Sequence, residues 1–285
     1  MVVFPNAKIN LGLNIIRKRE DGYHDLETVF YPLMIKDCLE VIQSIDHRPQ
    51  TTATKTMDNG LSTVDFSSTG LEVAGNENDN LCIKAYQLLK KDFPSIPNIK
   101  MHLHKTIPMG AGLGGGSADG AFMLKLLNEK FNLNLSTRQL IDYALQLGSD
   151  CPFFIINQPC FASSRGEVME AIDLVLRDYS FVIVNPKIHV ATSWAFSNIV
   201  PSVPKKSIKE IIQQPIETWK DELINDFEEP VSKQHVEIKN IKQELYNKNA
   251  VYAAMSGSGS TAFGLFDKNS VPTFSFPDNY FVQTI

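Results

Sequence analysis

The chain has little cysteine, no long apolar run and no basic cluster, and each lack removes a class of function. Four cysteines in 285 residues, Cys38, Cys82, Cys151 and Cys160, include no Cys-x-x-Cys spacing. That excludes a disulfide framework and a thiolate metal site, and leaves them as reduced packing residues. The six histidines are scattered as well; His102 and His104 would share one strand face, but without a third ligand they read as structural. No apolar stretch approaches the roughly 20 residues of a membrane span. The start, Met1-Val2-Val3-Phe4-Pro5, lacks the tripartite form of a signal peptide, so a cytoplasmic location is expected. Net charge is −5, and no Lys/Arg run is longer than Arg17-Lys18-Arg19. A nucleic-acid partner is therefore not expected, because backbone phosphates need a basic face. At 43% apolar the chain can bury a full core, and its length favours two domains.

Glycine, by contrast, is concentrated at one place. The run Pro108-Met109-Gly110-Ala111-Gly112-Leu113-Gly114-Gly115-Gly116-Ser117-Ala118 removes nearly every Cβ from a loop that leads into a helix. Bare N–H groups, free φ sign and a helix N-terminus together make a phosphate cradle without a cationic side chain. A Walker A loop fails, since no lysine precedes Ser117. Gly110-x-Gly112-x-x-Gly115 matches the dinucleotide fingerprint, but helices follow where a second strand ending in an acid is required: one around Ala121–Leu127 and one opened by Ser136 with Gln139 and closed by Gly148. A protein-kinase glycine loop lies between strands, and no Gly-x-Ser-x-Gly elbow is present. A flexible linker is disfavoured, because the run lies between a strand-like segment, Ile99–Leu103, and an amphipathic helix.

Elsewhere the pattern is less specific. Residues 9–16 alternate as a strand with one apolar and one polar face, and Lys8 and Asn10 fall on the polar face, which suits a solvated surface or a site equally. Tyr23, His24 and Phe30 follow a turn signal and could pack a core or wall a planar base. Strands are expected at Leu39–Ile42, Ser62–Phe66, Phe181–Val184, Val251–Met255 and Thr261–Phe266. Helices are expected at Leu81–Lys91 with Asn80 as its N-cap, at Ser207 with Glu210, and at Val236–Asn247. Asp150 sits where a helix ends at Gly148 and a strand is expected after Pro152, a position that often holds a mere turn former. Ser256-Gly257-Ser258-Gly259-Ser260 is either a plain hairpin or a turn lying tightly on a ligand or on the first glycine loop. The polar stretch 44–60 has no assignment.

Five segments in this order resemble the motifs of the GHMP kinase family: Pro5-Asn6-Ala7-Lys8-Ile9-Asn10-Leu11, Asp21-Gly22-Tyr23-His24, Pro108 to Ser117, Gly148-Ser149-Asp150-Cys151-Pro152, and Met255 to Thr261. The resemblance spans the whole chain. Its Asp-Gly-Tyr-His segment points to the branch whose acceptor is a cytidine-diphosphate-linked methylerythritol. One departure is visible: Ala118-Asp119-Gly120 stands where many relatives have Ser-Asn-Ala, which places an acid in a first helical turn and suits the helix dipole.

The resemblance implies an α/β (α+β) two-domain GHMP kinase fold. Residues 1–157 would form an N-terminal, ATP-binding domain like domain 2 of ribosomal protein S5, and residues 158–285 a ferredoxin-like C-terminal domain, with the active site between them. It implies transfer of the γ-phosphoryl of ATP to a hydroxyl of that acceptor. Asp150 would be the base with Lys8 beside it, holding it ionised. Residues 108–118 would wrap the phosphates, Ser117 would contact Mg²⁺, and Asn80 and Lys105 would lie by the adenosine. Tyr23, His24, Phe30 and Phe196 would clamp the cytosine, with Asn10 and Thr192 as polar contacts. The partners are then small molecules only, and a monomer or weak homodimer is expected. Two rivals are a GHMP kinase for mevalonate, phosphomevalonate or homoserine, which would need no aromatic clamp, and a silent nucleotide-binding or RNA-contacting module.

Overall fold

The computed structural model describes residues 1–44, 64–73 and 75–285. All of the unassigned stretch but Ser44, and the first two residues of the strand expected at Ser62–Phe66, lie outside them.

Two long antiparallel strands run through the middle of the molecule, β2 (Asn6–Lys18) and β3 (His24–Lys36), preceded by the short β1 (Val2–Val3). β4 (Cys38–Gln43) and β5 (Val64–Gly70) follow, then helix α1 (Leu81–Asp92), β6 (Ile99–Lys105), α2 (Gly115–Lys130), α3 (Thr137–Leu147) and α4 (Cys151–Ile156). After β7 (Cys160–Ser164) and β8 (Val168–Ala171), the second half contains β9 (Tyr179–Asn185), α5 (Thr192–Ser197), α6 (Ile208–Ile211), α7 (Trp219–Glu222), α8 (Glu228–Gln234) and α9 (Val236–Asn247). It ends with β10 (Tyr252–Met255), β11 (Ala262–Asp267) and β12 (Phe281–Thr284). The strands form three four-stranded sheets, ordered β1-β4-β6-β5, β2-β3-β7-β8 and β10-β11-β9-β12.

One of these placements differs from the sequence reading. The apolar run after Pro152 is a helix, not a strand. Proline is tolerated in a first helical turn, and Cys151 to Ile155 are all buried, so the run carries no polar face from which a period could be read. β7 pairs with β3 and β8 with β7, so the sheet that contains β2 and β3 extends to Ala171.

Among the described residues four apolar clusters follow from this layering, two of them larger than the rest. In one, Leu39, Val41, Met101 and Leu103 of the first sheet pack on α1, α2, α3 and α4 through residues such as Tyr86, Leu124, Ala144 and Phe153. In the other, Ile9, Leu11, Val29 and Leu33 of β2 and β3 pack against Phe181, Ile183, Tyr252, Phe263 and Leu265 of the last sheet, with Trp219 among them. Apolar burial of this kind contributes roughly 25 cal/mol per Å², and the second cluster joins the central strand pair to the last sheet. β2 is consequently buried from Asn6 to Ile15 with no solvated face. Its polar residues are satisfied internally: Asn14 donates to Glu27 at 3.1 Å, and Glu27 accepts from Ser207 Oγ and the Ile208 N–H at the start of α6.

Candidate active site

The glycine run spans the gap between β6 and α2. Its last residues already belong to the helix, since α2 begins at Gly115 with Gly114 as N-cap in the left-handed region. The first-turn N–H groups of a helix have no intrahelical acceptor, so those of Gly115, Gly116 and Ser117 sit at the positive end of a 16-residue dipole. Gly114 is required for a steric reason too: a Cβ there would meet the Phe154 ring at 2.9 Å and Lys8 at 3.1 Å.

The C-terminal glycine turn closes over the same loop. Ser256 Oγ donates to the Gly112 carbonyl at 2.8 Å and accepts from the Asn10 N–H at 3.1 Å, and the Thr261 N–H donates to Ala111 O at 3.2 Å. Of the two readings of Ser256–Ser260, the tight fit against the first glycine loop is the one found. A Cβ on Gly112 would be driven into the Ser256 carbonyl oxygen.

Lys8 lies beneath this junction. Its ammonium donates to Asn10 Oδ1 at 2.6 Å and to the Gly112 carbonyl at 3.2 Å, lies 3.4 Å from Asp150 Oδ2, and sits 5.1 Å from the centre of the Phe30 ring. Lys8 is buried whereas the Asp150 side chain is 39% exposed, and both border the cleft. Asp150 occupies the N-cap position of α4 yet makes no capping hydrogen bond. It also lies in the turn closed by the Cys151 N–H donating to the Gly148 carbonyl at 3.2 Å, as its place in the sequence allowed.

These groups line a cleft of about 1110 Å³ between the halves, bordered by Met109 to Gly112, Gly114 to Ser117, Asp150, Tyr23, His24, Thr192 and Phe196. His24 and Phe196 are stacked with ring centres 4.7 Å apart, and Tyr23 is 54% exposed with the Arg165 guanidinium 4.9 Å over its ring. Burial, with Lys18 nearby, holds the His24 imidazole below the usual histidine range, so it is neutral at neutral pH. The two rings are already in contact, so no gap is left between them. Thr192 Oγ1 is 3.1 Å from Ser258 Oγ across the cleft mouth.

Several expected roles are corrected by these positions. Phe30 borders the cleft but is only 3% exposed, packing on Phe153 and under the Lys8 ammonium. Asn10 also borders the cleft, and it orients the lysine by accepting from Lys8 while donating to Thr28 Oγ1 at 2.9 Å. Leu113 and Ala118 are fully buried core residues within the loop. Asn80 caps α1 by accepting from the Cys82 N–H at 2.9 Å, the commoner use of such a residue; its neighbour Leu81 borders the cleft. Lys105 is not among the residues that border the cleft. Its side chain is fully buried between Asp37 and Asp119. Burial opposes its charge, but the two carboxylates outweigh that and hold its pKa above the usual lysine value. The Asp119 carboxyl is pushed up to about 7 by burial, against the pull of Lys105.

Residues that sequence reasoning missed also border the cleft: Arg165, His189 and Leu81. Arg165 carried one usable signal, a cation beside Gly166 in the turn that ends β7. His189 carried none.

Among the described residues, no group of three or more His, Cys, Asp or Glu could hold a metal ion. The side-chain oxygens at the helix end of the cleft are the Asp150 carboxylate and the Ser117 hydroxyl, which is also bonded to Cys151. One carboxylate and one hydroxyl suit an Mg²⁺ that arrives on nucleotide phosphates and keeps waters, not a resident ion.

Family models described as the GHMP kinases N terminal domain and GHMP kinases C terminal match residues 80–158 and 207–274. The chain is 51% identical over 282 residues to the 4-diphosphocytidyl-2-C-methyl-D-erythritol kinase of Bacteroides thetaiotaomicron, covering 99% of this chain and 98% of that one. It is 49% identical over 285 residues to the enzyme of the same name from Bacteroides fragilis, covering 100% and 99%. A crystal structure of 4-(cytidine 5'-diphospho)-2C-methyl-D-erythritol kinase superposes with a TM-score of 0.76 at 28% identity, covering 93% of this chain and 90% of that one. Among the described residues, no helix is long and apolar enough to cross a membrane.

Proposed function

The chain belongs to the GHMP kinase family, and from that membership we propose how its cleft transfers the γ-phosphoryl of ATP to the 2-hydroxyl of 4-diphosphocytidyl-2-C-methyl-D-erythritol, a step in non-mevalonate isoprenoid precursor synthesis. The observation that carries the reading is the Lys8–Asp150 pair beside the glycine loop, both members of which border the cleft.

Phosphoryl transfer asks the protein for positioning and for charge stabilisation more than for covalent chemistry. The acceptor hydroxyl gives its proton to Asp150 as its oxygen forms a bond to the γ-phosphorus, and the bond to the β–γ bridging oxygen breaks to release ADP. Lys8, fixed by Asn10 and the Gly112 carbonyl, holds a positive charge at the point of transfer. The N–H groups of the glycine loop and the α2 dipole bind the phosphates. Ser117 and Asp150 would face an Mg²⁺ bound to the nucleotide, which supplies charge neutralisation on the β- and γ-phosphates. The enzyme works in the cytoplasm as a monomer or weak homodimer on small molecules, with no nucleic-acid partner.

Tyr23, His24 and Phe196 hold the cytosine by stacking, and Arg165 lies where it can meet the acceptor's diphosphate. Stacking contributes about 1–3 kcal/mol per base. Tyr23→Ala is therefore expected to raise the acceptor KM roughly 5- to 150-fold with the ATP KM unchanged; steady-state kinetics varying each substrate in turn check this. An unmoved acceptor KM would remove the cytosine clamp.

The overall reading is tested with purified protein, ATP and Mg²⁺, following ADP release and product mass with the cytidine acceptor beside mevalonate and homoserine. Turnover of the cytidine acceptor alone is expected. ADP release only with another acceptor would retain the phosphate loop and discard the clamp.

A further inference from the structure

We propose that Asp37, Lys105 and Asp119 form a buried brace that sets the spacing between the two ends of the phosphate loop, making them positioning residues for ATP. Asp37 lies just beyond β3, Lys105 is the last residue of β6, and Asp119 is in the first turns of α2. Residues 108–118 begin beyond Lys105, after Thr106 and Ile107, and end directly before Asp119.

Each end of the loop is tied by a separate bond. At the entry, Asp37 Oδ1 accepts from the N–H groups of Thr106 at 2.6 Å and Ile107 at 2.9 Å, while Thr106 Oγ1 donates to Lys36 O at 2.6 Å. Asp37 is itself tied down, since its N–H donates to Pro5 O at 2.8 Å, at the start of the strand that bears Lys8. At the exit, Lys105 Nζ donates to Asp119 Oδ2 at 2.7 Å and also contacts Asp37 Oδ2. The ammonium runs directly under the cradle: a Cβ on Gly115 would lie 2.9 Å from Lys105 Nζ and 2.9 Å from Ile107 Cγ2. The first residue of α2 thus rests on the brace with no room for a side chain.

Stability is a poor account of this cluster. Its three charged side chains are at most 5% exposed, and Asp119 Oδ1 has no partner, although each buried, unsatisfied polar group costs free energy. Well-packed apolar residues of similar volume usually stabilise a core at least as well as buried ion pairs do. What apolar residues lack is direction, and a cradle made of backbone N–H groups needs its two ends held in register within a few tenths of an ångström.

The brace rests on the reading that residues 108–118 hold ATP phosphates, and the test separates the two. KM values for ATP and for the acceptor, kcat and Tm are measured for Asp119→Ala, Asp119→Ser and Asp119→Asn in the full chain, beside the loop variant Gly114→Ala. Asp119→Ala is expected to raise the ATP KM about tenfold or more, with the acceptor KM within about twofold of wild type. Asp119→Asn, which keeps an oxygen for Lys105, should stay within about threefold of wild type for both. If Asp119→Ala does not fold, Asp119→Ser is expected to show the same selective rise. A drop in Tm with an unchanged ATP KM in both short variants, or equal rises in the two KM values, overturns the brace. So does an asparagine variant as impaired as alanine. If Gly114→Ala raises the ATP KM and Asp119→Ala and Asp119→Ser do not, the brace alone fails; if none of these does, the phosphate-loop reading falls with it.

Discussion

Asp150→Asn is expected to lower kcat about a thousandfold, within the 10²–10⁴ that a positioned general base contributes, while the ATP KM stays within a few-fold. The asparagine keeps the size of the side chain and its place at the start of α4, where Asp150 makes no capping bond. Neither the fold nor the phosphate cradle therefore depends on the charge. What is lost is the proton acceptor next to the Lys8 ammonium. Single-turnover measurements with saturating ATP and acceptor isolate this step from product release. A kcat within tenfold of wild type would show that the acceptor proton leaves by another route, and the role of Asp150 would reduce to anchoring Lys8.

Gly112→Ala is expected to raise the ATP KM at least about tenfold and to lower Tm by several degrees. Gly112 has φ +78, and a methyl group there meets the main chain of Ser256, with its carbonyl carbon at 3.0 Å. A left-handed conformation costs an alanine roughly 1–2 kcal/mol, and in a chain of this size each kcal/mol lowers Tm by about 2–4 °C. The clash adds to that, because a backbone carbonyl cannot turn aside as a side chain can. The turn must move, which breaks the bonds of Ser256 to Gly112 and Asn10. Gly116→Ala serves as the contrast: it is helical, a Cβ meets nothing within 4 Å, and its Tm should match or exceed that of wild type. Thermal unfolding and ATP kinetics on the two variants decide the matter, and equal Tm values would count against a tight fit of the two loops.

What was legible in the sequence is what is local. The glycine run announces its own function because absence of side chains is visible without a fold, and the capping box at Ser136 with Gln139 forms within four residues. Lys8 and Asp150 were each conspicuous, but their meeting depends on β2 passing beside the start of α4, and only the family resemblance joined them in advance. The misplaced residues fail for one shared reason: their role is decided by partners distant in the chain. Lys105 would lie by the adenosine, but Asp37, 68 residues earlier, and Asp119 enclose it. Phe30 borders the cleft, but Phe153 packs on it and leaves it 3% exposed. The six residues of α4 carry no period because all their surroundings are apolar. The pairing of β7 with β3 is likewise between residues distant in the chain and has no local signal.

The carbonyl of Gly112 accepts at once from Lys8 of the first strand pair and from Ser256 of the last sheet. Heredity is constrained by that one oxygen atom. A recombinant gene that joins the front of one such kinase to the back of another inherits a loop and a turn shaped against different neighbours, and the misfit falls on the lysine beside Asp150. Crossovers between relatives should accordingly survive where they keep residues 108–118 and 255–261 from the same parent, together with β2, however the surface between them is exchanged.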